Sequence, residues 1–79
     1  MTLSEIKEIL NDSCNDIAFT YQSKKGGIFP EMKESKAIYH CWYDSKETIL
    51  YSVDEIMNST FAGGMKFSDI VKATVMDIS

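Results

Sequence analysis

Hydrophobic positions change their spacing twice along this chain, and each change marks a new kind of element. In "MTLSEIKEILND", Leu3, Ile6, Ile9 and Leu10 recur at three- and four-residue steps, which predicts one helix with a single apolar stripe. Thr2 and Glu5 start it as a capping box, and Met1 and Ile6 are placed for a hydrophobic staple. Asn11, Asp12 and Ser13 are turn formers and end it. A helix this short does not hold alone in water, so its stripe requires a packing partner.

The spacing then falls to two. "DIAFTYQ" puts Ile17, Phe19 and Tyr21 on one face of a strand and Ala18, Thr20 and Gln22 on the other. "SKKGG" reads as a loop, because glycine accepts positive φ and the lysines favour water. "IFPEMK" reads as a short return strand at an edge, since Pro30 has no N–H for a ladder. "KAIYHCWY" and "TILYS" form the clearest hairpin, joined through "DSKE" with Tyr43 opposite Thr48. In that register Ile38, His40, Trp42, Ile49 and Tyr51 share one face. Tyr39, Cys41, Tyr43, Thr48 and Leu50 share the other.

Helical spacing returns in "SVDEIMNSTF", where Ser52 and Glu55 repeat the capping box and Tyr51 and Ile56 the staple. Val53, Ile56 and Met57 make its buried side. Gly63 and Gly64 break the pattern, and Ser68 caps a last short helix through "DIVKA". Residues 74–78 fit two readings: Val75 and Ile78 suit a strand, whereas Ile70, Val71 and Thr74 suit continued helix. The predicted fold class is α+β, one domain over residues 1–79 in two layers. A small antiparallel sheet of three to four strands carries an N-terminal helix and one or two short C-terminal helices on one face.

Size makes that core thin. A chain of 79 residues fits one domain and buries a little over ~60% of its unfolded surface, with stability on the order of 4–12 kcal/mol. Charge narrows the partners. Twelve acidic residues stand against eight lysines and no arginine, a net charge of −4, which argues against a nucleic-acid surface and its basic stripe. "MTLSEIKEIL" has Glu5 and Glu8 where a signal peptide is apolar, and no run reaches the ~18–20 residues of a membrane span. The expectation is a cytoplasmic protein away from membranes, with Cys14 and Cys41 as free thiols.

The only His and the only Trp flank Cys41 in "YHCWY". Adjacent strand residues point to opposite faces, so His40 and Cys41 cannot chelate one ion or act as a nucleophile–base pair. Asp54 and Glu55 are explained by the helix start, and Glu31 and Glu34 lie in a polar connection among Lys33 and Lys36. "FAGGM" lacks the lysine and the strand-to-helix setting of a phosphate loop. The five Met are scattered as core filler. The expectation is therefore a non-enzyme with no catalytic residue, no metal ligand and no cofactor.

One feature is left. Tyr21, Tyr39, Trp42, Tyr43 and Tyr51 are many large aromatics for a sheet covered on one side. Small antiparallel sheets favour aromatic cross-strand pairs, and the same side chains anchor interfaces.

The block "YSVDEIMNSTFAGGMKFSDI", with the hairpin before it, resembles a pattern in small uncharacterised proteins of phages and mobile elements of low-GC Gram-positive bacteria. The shared features are an aromatic strand, a Ser/Asp-Glu helix start, an aromatic after that helix, a Gly turn and a second helix start. They span about half the chain, and the Gly pair departs from the single Gly of the pattern. No activity attaches to that group, so the resemblance transfers no functional residue. The expected function is a small interaction module, of phage or prophage origin, binding an unidentified protein through Tyr39, Trp42 and Tyr43. The alternatives are a homodimer through the sheet's edge or face, and a small-ligand protein or enzyme near His40.

Overall fold

Both periodicities are realised. A computed structural model describes residues 2–12 and 15–78. The elements are α1 (Leu3–Asp12), β1 (Ile17–Tyr21), β2 (Lys24–Lys33), β3 (Lys36–Tyr43), β4 (Lys46–Leu50), α2 (Val53–Asn58), α3 (Phe67–Ala73) and β5 (Asp77–Ile78). The expected Met1 staple, the Ser13 stop and the Cys14 thiol lie outside the described residues.

The strands form one antiparallel sheet in the order β4-β3-β2-β1-β5, one or two strands wider than the sequence suggested. The fifth comes from the ambiguous tail: Ile78 pairs with Ile17 and Asp77 with Ala18. The Thr74 hydroxyl closes the tail by donating to the Thr20 carbonyl at 2.8 Å.

All three helices pack on one face. Ile6 and Leu10 of α1, Ile56 and Met57 of α2, and Phe67, Ile70 and Val71 of α3 meet Ile17, Phe19, Ile28, Tyr39, Cys41 and Tyr43 of the sheet. Phe19 sits at the centre of an aromatic group, with ring centroids 5.7 Å from Phe67, 6.4 Å from Phe61 and 6.5 Å from Tyr43. The capping box of α1 closes in both directions: Thr2 N–H donates to Glu5 Oε1 at 2.9 Å and Glu5 N–H to Thr2 Oγ1 at 3.2 Å. The Thr2 N–H, with the Thr2 hydroxyl second, holds the Glu5 carboxyl below its usual value. At α2, Glu55 N–H donates to Ser52 Oγ at 3.1 Å, as the second start signal implied. Tyr51, its expected staple residue, is largely exposed.

Four expectations need correction. "SKKGG" is not a loop: β1 turns at Gln22–Ser23, both with positive φ (52° and 64°), and Lys24 to Gly27 already belong to β2. A two-residue turn of positive φ matches the twist of a hairpin, and the Gly pair serves packing. Pro30 does not mark an edge strand, since β2 lies between β1 and β3. It is tolerated because β1 pairs only as far as Ile28, which leaves β2 a single neighbour at Pro30. The β3–β4 register is Tyr43 opposite Lys46, not Thr48. The slip is two residues, so every side chain keeps its face. Finally, α3 starts at Phe67 after Lys66, not after Ser68. Burial of Phe67, fully enclosed, draws the first turn forward, and no side-chain cap is used.

The open face of the sheet as candidate functional site

Alternation on each strand decides what the helices leave uncovered. On β2 it is Lys25, Gly27, Phe29, Glu31 and Lys33; on β3 it is Lys36, Ile38, His40 and Trp42; on β4 it is Glu47 and Ile49. Register aligns these in rows. Phe29, His40 and Ile49 are opposite one another across three strands, with Gly27, Trp42 and Glu47 in the row on one side and Glu31 and Ile38 in the row on the other.

His40 is the centre. Its Nε2 lies 3.2 Å from Glu31 Oε1 and its Nδ1 3.4 Å from Glu47 Oε2. The Phe29 ring meets the imidazole edge-on, with centroids 5.9 Å apart. Phe29 is 49% exposed and Ile49 41%, while Ile38 and Trp42 are half-buried. The patch is therefore apolar, partly wet, and carries an imidazole between two carboxylates in its middle.

Two glycines make room for the large rings. A Cβ on Gly27 would lie 2.8 Å from Trp42 Nε1 and 2.6 Å from the Ile17 carbonyl oxygen, so the indole lies across the bare backbone of β2 on the open face. A Cβ on Gly26 would lie 2.7 Å from Phe19 Cζ, on the covered face. Neighbouring glycines thus admit one aromatic to each side of the sheet.

The sheet separates the three expected contact residues. Trp42 is on the open face. Tyr39 and Tyr43 are core residues, 3% and 7% exposed, and offer a partner almost no surface. Their hydroxyls are used internally: Tyr39 donates to the Leu10 carbonyl at 3.0 Å and Tyr43 to the Tyr21 carbonyl at 2.6 Å. Cys41 is fully buried beside them, and burial, with the Glu47 charge second, pushes its thiol up to about 12. It is inert at neutral pH and faces away from His40.

Phe29, Glu31 and Glu47 were missed. Glu31 had been assigned to a polar connection, but it lies in β2. The signal was available: alternation from Lys25 through Lys33 carries Phe29 and Glu31 to one side, once the β1–β2 turn is placed at Gln22–Ser23 rather than around the glycines.

A second concavity lies at one end of the sheet, with a volume of about 320 Å³, where Lys24 and Lys46 approach Thr60, Gly63 and Gly64. Both glycines have positive φ (69° and 77°), as a turn between the Ala62 and Met65 bridge partners requires. Among the described residues no buried side-chain nitrogen or oxygen lacks a partner, so no orphaned group points into this space. Among the same residues no set of three or more His, Cys, Asp or Glu could hold a metal ion. No described helix is long and apolar enough to cross a membrane.

Comparisons with protein-family models, curated proteins and solved structures gave no match. The function has to be argued from the face itself.

Proposed function

We propose that this protein is a small interaction module that binds another protein through the open face of its sheet. The observation that carries the reading is the uncovered apolar patch of Phe29, Ile38, Trp42 and Ile49 around His40. Side chains this large that stay partly in water beside a complete core leave apolar surface solvated, whereas in a complex they become anchors with few rotors to freeze. Phage or prophage origin belongs to the same proposal and rests on the sequence pattern alone.

The test is affinity capture from lysate with wild type and two variants. Trp42→Ala with Ile49→Ala strips the patch, and Met65→Ala removes an exposed apolar residue from the α2–α3 loop. The reading expects proteins enriched by wild type and Met65→Ala and lost by the double variant, with circular dichroism unchanged. Enrichment that survives in the folded double variant sinks it.

A second reading, a homodimer, has one specific observation behind it. The outer edge of β4 is unpaired among the described residues, and such an edge can template a second copy. A sedimentation mass that stays monomeric into the high micromolar range removes that reading.

A further inference from the structure

We infer that the open face takes a partner segment whose cationic side chain, lysine or arginine, is flanked on the same side by apolar ones. This rests on the protein-binding reading above and commits it to one chemistry.

The charge at the centre of the face depends on the protons of His40. A protonated ring donates to both Glu31 and Glu47 and leaves the group with one net negative charge. A neutral ring has one N–H and one lone pair, so it serves one carboxylate and turns a lone pair toward the other, leaving two negative charges. Both nitrogens lie within 3.4 Å of a carboxylate oxygen, so in either state the middle of the face is negative and a cation completes it. The Glu31 and Glu47 side chains are 49% and 58% exposed, and so are reachable from outside.

The surroundings define the rest of the partner. Phe29, Ile38, Trp42 and Ile49 border the group on the same face, and covering them removes water from around the carboxylates and strengthens their attraction for a cation seated between them. Lys33 and Lys36 lie in the row next to Glu31, at the β2–β3 turn, and Lys25 in the row beyond Gly27, but among the described residues Glu31 and Glu47 pair with His40 and with none of these lysines. Charge also argues against a second copy as the occupant, because two faces stacked about His40 bring two negative centres together in a chain already at −4.

The experiment is an amide-resolved NMR titration at low salt with two capped peptides, Leu-Ser-Leu-Ser-Arg-Ser-Leu and its counterpart with Glu in place of Arg. Serine spacing puts the leucines and the charged residue on one side of an extended chain. The arginine peptide is expected to shift residues of β2, β3 and β4 around His40 and to bind at least tenfold tighter than the glutamate peptide. That preference should fall toward parity in Glu31→Gln with Glu47→Gln, and as salt is raised. Equal binding of both peptides on this face overturns the cationic inference and leaves the protein-binding reading standing. Shifts elsewhere, or none with either peptide, overturn the inference and leave that reading to the capture experiment. Dilution-dependent shifts on this face without peptide overturn it in favour of a second copy.

Discussion

Strand β3 lies between two surfaces of opposite character built from similar side chains. Toward the helices it presents Tyr39, Cys41 and Tyr43, at 3%, 0% and 7% exposure. Toward water it presents Ile38, His40 and Trp42, all half-buried. Residue type alone does not tell these faces apart, since the polar-tipped tyrosines are inside and the tryptophan outside. What separates them is how polar atoms are satisfied. The inner hydroxyls reach backbone carbonyls of α1 and β1, whereas the outer polar groups satisfy one another across three strands and stay wet. A closed face has no chemistry left to offer, and the open one does.

Truncating one ring on each side breaks the comparison most directly. Phe19→Ala deletes the centre of the aromatic group on the covered face and should cost about 3–5 kcal/mol, a large share of the stability of so small a domain. Trp42→Ala should cost at most about 2 kcal/mol, because a half-buried ring leaves an opening that water fills instead of a cavity. Urea denaturation of the pair measures both. Equal costs would mean that the open face is packed like core, and would end its claim to be a binding surface.

The glycine pair sharpens the contrast between adjacent residues. Gly26→Ala drives a methyl into the Phe19 ring at 2.7 Å and Gly27→Ala into the Trp42 indole at 2.8 Å, so each should lose about 1–3 kcal/mol by overpacking. Their signatures should differ. Gly27→Ala displaces the indole and shifts its fluorescence to longer wavelength, while Gly26→Ala leaves emission nearly unchanged. Phe19→Leu should recover part of the Gly26→Ala loss and none of the Gly27→Ala loss, which a double-mutant cycle reads out. An identical fluorescence shift in both variants would contradict the two-sided assignment.

These glycines also show where sequence reasoning reached and where it stopped. Helix starts were legible because capping is local: Thr2 with Glu5 and Ser52 with Glu55 are read within four residues. The partition of β3 and β4 into two faces was legible because alternation survives a two-residue slip in register. Which face lay open was not legible, because it depends on where three helices dock. The β1–β2 turn was misplaced because Gln22–Ser23 carries no glycine or asparagine, and the nearby Gly pair drew the assignment to itself. With the strand begun too late, the face shared by Phe29 and Glu31 went unassigned, and they are two of the three side chains that meet His40.

Cys41 probes the covered face by pH. With Cys14→Ser as background, its thiol should resist a disulfide reagent at pH 8 and react only as fast as the protein opens. The sign of the pH effect follows from the shift. From its ordinary value of 9.0 the thiol is raised to about 12, so above pH 9 the unfolded chain gives up its proton while the folded one keeps it. Stability from this group is whole below about pH 9 and falls as pH rises toward 12. Cys41→Ala should lack that part of the slope in urea melts at stepped pH. Matching slopes, or rapid labelling of the native state, would show that the face is not closed at β3.

The smallest expected effect concerns the turn, and it serves as the control for both faces. Gln22 and Ser23 hold positive φ without being glycine, a conformation that costs an ordinary residue about 1–2 kcal/mol and that Asn and Gly accept far more readily. Gln22→Asn with Ser23→Gly should therefore raise stability, by about 1 kcal/mol after allowing for the added freedom of glycine in the unfolded chain. Because the turn only joins β1 to β2, Trp42 fluorescence and peptide binding at the open face should stay as they are. A gain without a change in emission places the strain in the turn and the two faces beyond its reach. A loss would mean that Gln22, whose Nε2 lies 3.5 Å from the Tyr21 hydroxyl, braces that tyrosine against the α2–α3 loop more than its backbone strains the hairpin.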